Sequence, residues 1–335
     1  MKHFALTTLS IILLTMSSSF TAAQDTDPQT HTCPDYASVY DAPAFEKPSK
    51  KSFRNFSSKM LSWFHQPYHM VHDEMIKEGT TATVVGKFDY GTVIHKDLEQ
   101  EYVKAYIFGT NQTNWEYLGR FKTNSDGKIF VPVANKQEGD YTIKMAVEGD
   151  LSVATGYLTV MKPGRKAVLF DIDGTLTLND FQAVGDYLGV ETASTHAYAT
   201  DTVWAYVNKG YQIVYITGRQ YWMTKMTRNW FNSKGLFGWH LRTDSNAENP
   251  LQPQTQAYKR AYIEHLTNDL GLDIIRAYGN ADTDVYAYGE AGLDKNETYI
   301  IGEHAGLEGT QAIDGDYSYH LTTVVADTPY AGCSW

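Results

Sequence analysis

The sequence predicts two domains of different class: an all-β sandwich, followed by an α/β domain with a doubly wound parallel sheet. Between residues 80 and 162, short stretches alternate apolar and polar residues with a period of two, which is typical of half-buried strands. From residue 165 onward, apolar runs alternate with helical patterns, which favours parallel strands joined by helices. Lys162-Pro163-Gly164 separates the two patterns and indicates a domain boundary.

The length and the charge of the chain limit its function. The chain has 335 residues, which is enough for two domains. Its formal net charge is -11 at pH 7, so a general nucleic-acid binder is excluded. The same charge gives no overall attraction to anionic lipid, so any membrane contact has to be local.

The first 23 residues have the pattern of a secretory signal peptide. A basic start is followed by an apolar stretch, Phe4 to Met16, that is too short for a comfortable membrane span. Thr21-Ala22-Ala23 then offers a cleavage site of small residues. We therefore expect an exported protein, either periplasmic or secreted.

The two cysteines, Cys33 and Cys333, lie near the two ends of the mature chain. Neither has a CxxC neighbourhood or a metal-binding neighbourhood. Because export would place them in an oxidising compartment, we expect one disulfide between them. Two free thiols, or a pair with another chain, are the alternatives.

Residues 24–79 are predicted as a leader that carries one amphipathic helical segment. Its apolar residues fall near helical spacing: Phe53, Phe56, Met60, Trp63 and Phe64. Basic residues are interleaved with them: Lys50, Lys51, Arg54 and Lys59. Amphipathicity mostly reflects packing, so we favour a helix packed on the next domain. A basic, aromatic helix at a membrane interface, giving a peripheral membrane contact, is the alternative.

A histidine cluster follows that helix: His65, His69 and His72, with Asp73. Side chains of this kind bind zinc. However, the spacing lacks an HExxH motif, and Pro67 interrupts a common helical face. We therefore favour histidines at a surface or an interface over a metal site.

The α/β domain opens with a buried strand that ends in two carboxylates. Ala167 to Phe170 is the apolar run, and Asp171 and Asp173 follow in the sequence DIDGT. Open α/β sheets bind ligands at the carboxyl ends of their strands. Since Gly174 allows a sharp turn, both carboxylates can face one pocket. One can attack a phosphorus atom while the other moves protons.

Three later segments carry matching chemistry. A second apolar strand ends in Thr217-Gly218-Arg219, whose hydroxyl and turn amides can bind a phosphoryl oxygen. Lys259 stands in a helical pattern, where it either neutralises an anion or is solvated surface. A further strand ends in Gly279-Asn280-Ala281-Asp282-Thr283-Asp284, whose oxygen-bearing side chains suit a hard cation.

The order DxDGT, TGR, Lys and GNxxxD resembles the haloacid-dehalogenase (HAD) superfamily of phosphatases. Three segments more closely resemble the LNS2 domain: 171–177, 214–219 and 277–288. That domain occurs in the lipins, which are phosphatidate phosphatases, and in membrane-associated phosphatidylinositol transfer proteins of the retinal-degeneration-B type. The resemblance covers about residues 165–305, so we assign the LNS2 domain to residues 165–335. It implies a Rossmann-like HAD fold.

The resemblance also implies catalytic roles. Asp171 is the nucleophile, and Asp173 protonates the leaving oxygen and then activates water. Thr217 and the amide of Gly218 hold phosphoryl oxygens, and Lys259 offsets the charge on Asp171 and on the phosphate. The transfer proteins lack the first aspartate, whereas this chain has it, as the lipins do.

The implied cofactor is Mg²⁺. Asp171, the backbone carbonyl of Asp173 and Asn280 are its expected ligands. Asp284 is expected to support the metal shell or Lys259, and Asp282 is the nearby alternative. The chain has Ala281-Asp282 where the lipins tend to carry Arg-Pro, which bears on the substrate more than on the chemistry.

These implications together predict an exported, Mg²⁺-dependent phosphomonoesterase whose most favoured substrate is phosphatidate or a related lipid phosphate. Two other functions fit the same residues. One is a scavenging phosphatase for small soluble phosphate esters. The other is a non-catalytic module that binds a lipid phosphate.

Overall fold

The computed structural model describes residue 39 and residues 42–91, 95–178, 193–236, 240–244 and 255–332. All of them belong to one compact unit, Cys33–Trp335. The predicted signal peptide and both cysteines, Cys33 and Cys333, lie outside the described residues, so export and the disulfide stay predictions. Within the described ranges, no helix is long and apolar enough to cross a membrane.

The described chain is mixed α/β. Its principal helices are α1 (Phe56–Phe64), α2 (Ala199–Asn208), α3 (Thr224–Ser233), α4 (Thr255–Glu264), α5 (Asp282–Glu290) and the short α6 (Ser318–His320). Its first ten strands are β1 (Met70–Val71), β2 (Glu74–Lys77), β3 (Ala82–Lys87), β4 (Asp89–Gly91), β5 (His95–Asp97), β6 (Tyr102–Gly109), β7 (Glu116–Lys122), β8 (Lys128–Val133), β9 (Gly139–Val147) and β10 (Val153–Met161). The remaining strands are β11 (Lys166–Phe170), β12 (Gln212–Gln220), β13 (Leu241–Asp244), β14 (Asp273–Gly279), β15 (Thr298–Ile301) and β16 (Gln311–Ile313).

The first half of the chain forms a β-sandwich-like region. One sheet has the strand order β1-β3-β8 and the other has the order β2-β10-β9-β6-β7, while β4 and β5 form a separate hairpin. Alternate residues of both sheets share one buried apolar core, with Val84 and Val131 from the first sheet and Ile107 and Ile143 from the second. The alternation in the sequence therefore has a structural cause: the apolar residues of each strand face the core between the sheets, and the polar residues face outward.

This region begins before the predicted boundary at residue 80. Met70 and Val71 pair antiparallel with β3, and Glu74 to Lys77 pair parallel with β10. Both segments fell inside the predicted leader. Strands of two and four residues are too short to show a period in the sequence, and their tertiary pairing alone defines them.

The second half contains a six-stranded sheet in which every pairing is parallel. Its strand order is β13-β12-β11-β14-β15-β16. Successive residues of β11 enter different apolar clusters: Val168 and Phe170 pack with α2 and α3, whereas Leu169 packs with α4 and α5. Both faces of the sheet are thus buried, which accounts for the unbroken apolar run in the sequence.

A buried carboxylate connects the two regions. Asp73 precedes β2 and accepts hydrogen bonds from the backbone amide of Tyr157 at 2.9 Å, in the sandwich, and of Leu241 at 2.7 Å, in the parallel sheet. The guanidinium of Arg228, on α3, pairs with the same carboxylate. The side chain of Asp73 is fully buried, so these partners offset the cost of burying its charge. Asp73 therefore fixes the sandwich against the α/β region.

Close packing at the end of β14 requires a glycine. A Cβ added to Gly279 would lie 2.6 Å from the Cβ of Asp284, which is shorter than side chains tolerate. Asp284 cannot move aside freely, because Lys259 and two backbone amides hold its carboxylate. The glycine of the GNxxxD motif thus allows the helix α5 to begin directly against the strand.

We predict that Gly279→Ala lowers the free energy of unfolding by about 1–3 kcal/mol, because the added methyl group overpacks this contact. Urea unfolding at neutral pH measures the change. Gly289→Ala, on α5, is the matched control, since an added Cβ there has no heavy atom closer than 3.9 Å. The control should be neutral or stabilising by up to about 1 kcal/mol. Equal effects of the two changes would contradict the packing argument.

Candidate functional site

The residues singled out in the sequence meet at one edge of the parallel sheet. The strands β12, β11 and β14 are neighbours in that order. Asp171 follows the last residue of β11, and Asn280 follows the last residue of β14, while Thr217 lies near the end of β12. Because these strands are parallel, their carboxyl ends lie side by side and gather the three motifs.

The DIDGT segment is shaped by a tight turn. Gly174 has a φ of +71°, a conformation that L side chains rarely adopt. Its amide donates to the hydroxyl of Thr177 at 2.9 Å, and its carbonyl lies 3.1 Å from Nε2 of His196. The turn therefore directs Asp171 and Asp173 to the same end of the sheet.

Lys259 lies between two buried carboxylates. Its Nζ donates to Oδ1 of Asp171 and to Oδ1 of Asp284, each at 2.6 Å. All three side chains are at most 5% exposed. One ammonium facing two carboxylates leaves the cluster with an excess negative charge when all three groups are ionised. Lys259 is therefore part of the site and not a solvated helix lysine.

This arrangement shifts the pKa values of the cluster. Burial raises the pKa of Asp171 to about 7, and the neighbouring carboxylates of Asp284 and Asp173 add to the rise, while Lys259 opposes it. Burial lowers the pKa of Lys259, but the attraction of Asp171 and Asp284 outweighs that effect and raises it above its ordinary value. Lys259 thus stays protonated.

The second aspartate of the motif is bound by an arginine. Nε of Arg219 donates to Oδ2 of Asp173 at 2.8 Å, and an Nη of Arg219 donates to Oδ1 at 2.7 Å. The guanidinium also donates to the hydroxyl of Thr227 on α3 at 3.0 Å. Bidentate pairs of this kind are strong and hold a fixed geometry.

One oxygen of Asp171 and one oxygen of Asn280 lie near the same hydroxyl group. The hydroxyl of Thr175 lies 3.0 Å from Oδ2 of Asp171 and 3.1 Å from Oδ1 of Asn280. The two acceptors come from different strands, yet they approach the same hydroxyl. An amide oxygen and a carboxylate oxygen are the ligands that Mg²⁺ prefers, and the cluster around Lys259 has excess negative charge when both of its carboxylates are ionised. The donor set of Asp171 and Asn280 therefore fits a hard divalent cation.

Asp284 supports the other groups. Besides its bond to Lys259, its Oδ2 accepts from the amides of Asn280 at 3.1 Å and Ala281 at 3.2 Å. Asp284 thus contacts Lys259, one of the two partners expected for it, and it also holds the loop that carries Asn280. Asp282, the sequence alternative, is exposed on the first turn of α5.

The TGR segment faces the same cluster. The Oγ1 of Thr217 donates to Oδ2 of Asp173 at 3.3 Å and accepts from the amide of Arg219 at 3.1 Å. Gly218 lies beside Thr255, the first residue of α4, and a Cβ on it would approach that side chain to 3.1 Å. The predicted phosphate-binding pair thus stands next to Asp173.

Sequence reasoning assigned no role to Thr175 or to Arg219, although both were part of the motifs. Arg219 is two residues after Thr217 in a strand, so their side chains share a face. Their shared face indicated that both side chains could reach the same group, which in the structure is Asp173. Thr175 gave no such signal, because its contact with Asn280 joins two segments 105 residues apart.

The upstream histidines are separated. His65 is exposed, and His69 is buried in the sandwich with its Nε2 2.9 Å from the hydroxyl of Ser152. Asp73 is engaged by Arg228. Among the residues that the structure describes, no group of three or more His, Cys, Asp or Glu side chains is arranged to hold a metal ion. Of the two histidines described here, only His65 lies at the surface, whereas His69 belongs to the interior of the sandwich.

In comparison with known proteins, the β-sandwich region and the α/β region each match a domain of the same protein family. Residues 168–302 match the LNS2 domain of PITM 1-3, and residues 67–160 match the beta-sandwich domain of PITM 1-3. The chain is 30% identical over 239 residues to human membrane-associated phosphatidylinositol transfer protein 1, covering 70% of this chain and 18% of that protein. It is 28% identical over 265 residues to the human transfer protein 3, covering 77% and 26%. It is 26% identical over 265 residues to the protein retinal degeneration B of Drosophila melanogaster, covering 77% and 20%.

We predict that Arg219→Met lowers the free energy of unfolding by about 3 kcal/mol, because it leaves Asp173 without its guanidinium partner in a largely buried place. Guanidinium chloride unfolding measures the change. Arg260→Met is the matched control: this side chain is 46% exposed and pairs with Glu290 on the surface. The control should change stability by no more than about 1 kcal/mol. A negligible effect of Arg219→Met would show that the buried pair is not formed.

Proposed function

The chain carries an LNS2 domain of the kind found in PITM 1-3, and on this premise we propose that it is a Mg²⁺-dependent phosphomonoesterase acting on a lipid phosphate. Phosphatidate or a related lipid is the favoured substrate. The observation that carries the proposal is the buried ion pair of Lys259 with Asp171, together with the Thr175 hydroxyl that lies within hydrogen-bond distance of both Asp171 and Asn280. The relatives are named as membrane-associated phosphatidylinositol transfer proteins, which supports a lipid ligand.

The sheet supports the Rossmann-like HAD fold that the resemblance implies. Counted along the chain from β11, the strand order β13-β12-β11-β14-β15-β16 reads 3-2-1-4-5-6. That order is common among doubly wound nucleotide-binding sheets, whose ligands bind at the switch point beside the first strand. Asp171 lies at this point.

The first chemical step uses Asp171 as the nucleophile. A carboxylate oxygen forms a bond to phosphorus, and the bond between phosphorus and the leaving oxygen breaks, which gives an aspartyl-phosphate. Asp173 donates a proton to the leaving oxygen. Lys259, close to Asp171, offsets the charge on the phosphoryl group, and Thr217 and Gly218 bind its oxygens.

The second step returns the enzyme to its starting state. Asp173 accepts a proton from water, whose oxygen attacks phosphorus, and the bond between phosphorus and Asp171 breaks. Inorganic phosphate leaves, and Asp171 is again a carboxylate. Both oxygens of Asp173 are bound by Arg219, so proton transfer at Asp173 requires this ion pair to open.

Asp171, the backbone carbonyl of Asp173 and Asn280 would hold the metal ion. A bound Mg²⁺ supplies positive charge that neutralises the phosphate and the excess negative charge around Lys259. The oxygen atoms that converge at Thr175 support this donor set.

The signal-peptide pattern of residues 1–23 supports export, so we assign the activity to the periplasm or to the outside of the cell. One disulfide between Cys33 and Cys333 is part of the same proposal.

We predict that wild-type protein releases phosphate from phosphatidate in mixed micelles faster than from a soluble phosphate ester, and that Asp171→Asn lowers both rates by about three orders of magnitude or more. The substitution keeps the shape of the side chain and removes the attacking charge. Phosphate release and a thermal melt are measured on the same sample, and the variant should remain folded.

Asp282 provides the matched control, because its side chain is exposed on α5. Asp282→Asn should therefore leave the rate unchanged. A wild-type rate in Asp171→Asn would rule out the covalent mechanism. Faster turnover of the soluble ester would favour the scavenging phosphatase. Binding of phosphatidate without any phosphate release would favour the non-catalytic module.

We also predict that EDTA stops turnover and that Mg²⁺ restores it. Asn280→Ala should raise the Mg²⁺ concentration for half-maximal activity about tenfold or more, because it removes one oxygen donor. Asn296→Ala, at an exposed asparagine, should leave that concentration unchanged. Turnover that persists in EDTA would refute the metal assignment.

A further inference from the structure

The helix α1 presents its largest apolar side chains to solvent. The exposed fractions are 70% for Phe56, 63% for Trp63 and 71% for Phe64. On its inner side, Ser58 is buried and Leu61 packs against the sandwich core. The helix thus lies against the sandwich through these two residues, whereas its three large rings face outward. Clustered exposed aromatic rings mark a contact surface.

The position of α1 is nevertheless fixed. The carboxylate of Glu101 accepts hydrogen bonds from the backbone amides of Arg54 at 2.8 Å and Asn55 at 2.9 Å, directly before the helix. The ring of Phe53 covers Gly149, where an added Cβ would lie 2.4 Å from it. The aromatic residues therefore project from an anchored helix and not from a detached segment.

Basic residues surround these rings. Residues 50–64 contain four Lys or Arg residues and no Asp or Glu, in a chain with a net charge of -11. Three of the four are exposed lysines that line a groove of about 650 Å³ with Phe56 and Trp63: Lys50, Lys51 and Lys59. The Nζ of Lys59 lies 4.8 Å from the ring centre of Trp63. Asp150 also lines the groove, but its carboxylate binds Tyr90 and Ser152.

We propose that α1 and the preceding segment 50–55 form a docking surface for an anionic lipid membrane. The indole of Trp63 can bury its ring in the headgroup region while its N–H stays wet, and the rings of Phe56 and Phe64 add apolar area that inserts beside it. Each lysine near an anionic surface strengthens binding by about fivefold. Because the chain as a whole is negatively charged, a contact with an anionic membrane has to be local, and this surface provides such a contact.

The inference deepens the proposed function, because it would hold the phosphatase site at the membrane that contains a lipid phosphate. The docking surface, however, consists of residues that are not part of the proposed phosphatase site. The charge pattern favours a lipid surface over a second copy of this chain, since two copies would bring eight like charges together.

Cosedimentation with vesicles tests the proposal. The vesicles contain phosphatidylcholine with or without phosphatidylserine, a phosphodiester that is not a substrate of the proposed reaction. Wild-type protein should bind the phosphatidylserine vesicles, more weakly at high salt. The triple variant Phe56→Ser, Trp63→Ser and Phe64→Ser should bind these vesicles at least about tenfold more weakly than the wild type. The matched control is Phe130→Ser with Tyr319→Ser, two aromatic residues exposed elsewhere, and it should bind like the wild type.

A second variant does not depend on aromatic side chains. Lys50→Gln, Lys51→Gln and Lys59→Gln alter exposed residues, so the thermal stability should be unchanged while vesicle binding weakens and loses its salt dependence. Wild-type binding by either triple variant would overturn the proposal. So would equal binding of wild-type protein to both kinds of vesicle, or a dimer in solution that the aromatic variant abolishes.

The Asp171→Asn variant separates this inference from the proposed function. It should bind vesicles like the wild type although it cannot turn over substrate. Vesicle binding without hydrolysis by the wild type would refute the phosphatase and leave the docking surface standing. Hydrolysis of a soluble ester without vesicle binding would refute the docking surface alone.

Discussion

The ion pairs of Lys259 with Asp171 and Asp284 are the constraint on which the rest of the site depends. A buried ammonium needs buried anions, and these two carboxylates come from the residue after β11 and from the first turn of α5. The ion pairs of Lys259 therefore hold α4 against the end of β11 and the start of α5. Asp284 in turn holds the amides of Asn280 and Ala281. The cation of Lys259 thus organises Asp171, its neighbours and the oxygen donors.

Much of this architecture could be predicted from local sequence. The run Ala167 to Phe170 predicted a strand buried on both faces, and the alternation between residues 80 and 162 predicted the sandwich strands. Parallel strands align their carboxyl ends, so motifs that follow each strand had to meet at one edge. Asp171, Thr217 and Asn280 were therefore expected to lie together from the order of motifs and strands alone.

The remaining features depend on contacts that local patterns do not carry. The spacing of Thr217 and Arg219 places both side chains on one face of β12, but the bidentate contact of Arg219 with Asp173 forms only when β12 lies beside β11. The strands β1 and β2 exist because they pair with β3 and β10, and their own length is too small to show a period. The outward direction of Phe56, Trp63 and Phe64 follows from the anchoring of α1 by Glu101, which is distant in sequence.

In the proposed enzyme, the Lys259 cluster carries the phosphorus chemistry and the docking surface, a separate part of the molecule, binds the membrane. The site has a buried, charged interior suited to phosphorus chemistry, whereas α1 carries exposed aromatic and basic side chains suited to a lipid surface. The same chain can therefore lose one property without losing the other.

The central claim is that Asp171 becomes phosphorylated during turnover. A single turnover with phosphatidate, quenched in acid and reduced with borohydride, converts an aspartyl-phosphate to homoserine, and peptide mass spectrometry locates it. Homoserine is expected at position 171 in the wild type and is not expected in a sample without substrate. Phosphate release with an unmodified Asp171, or with the modification at Asp173, would contradict it.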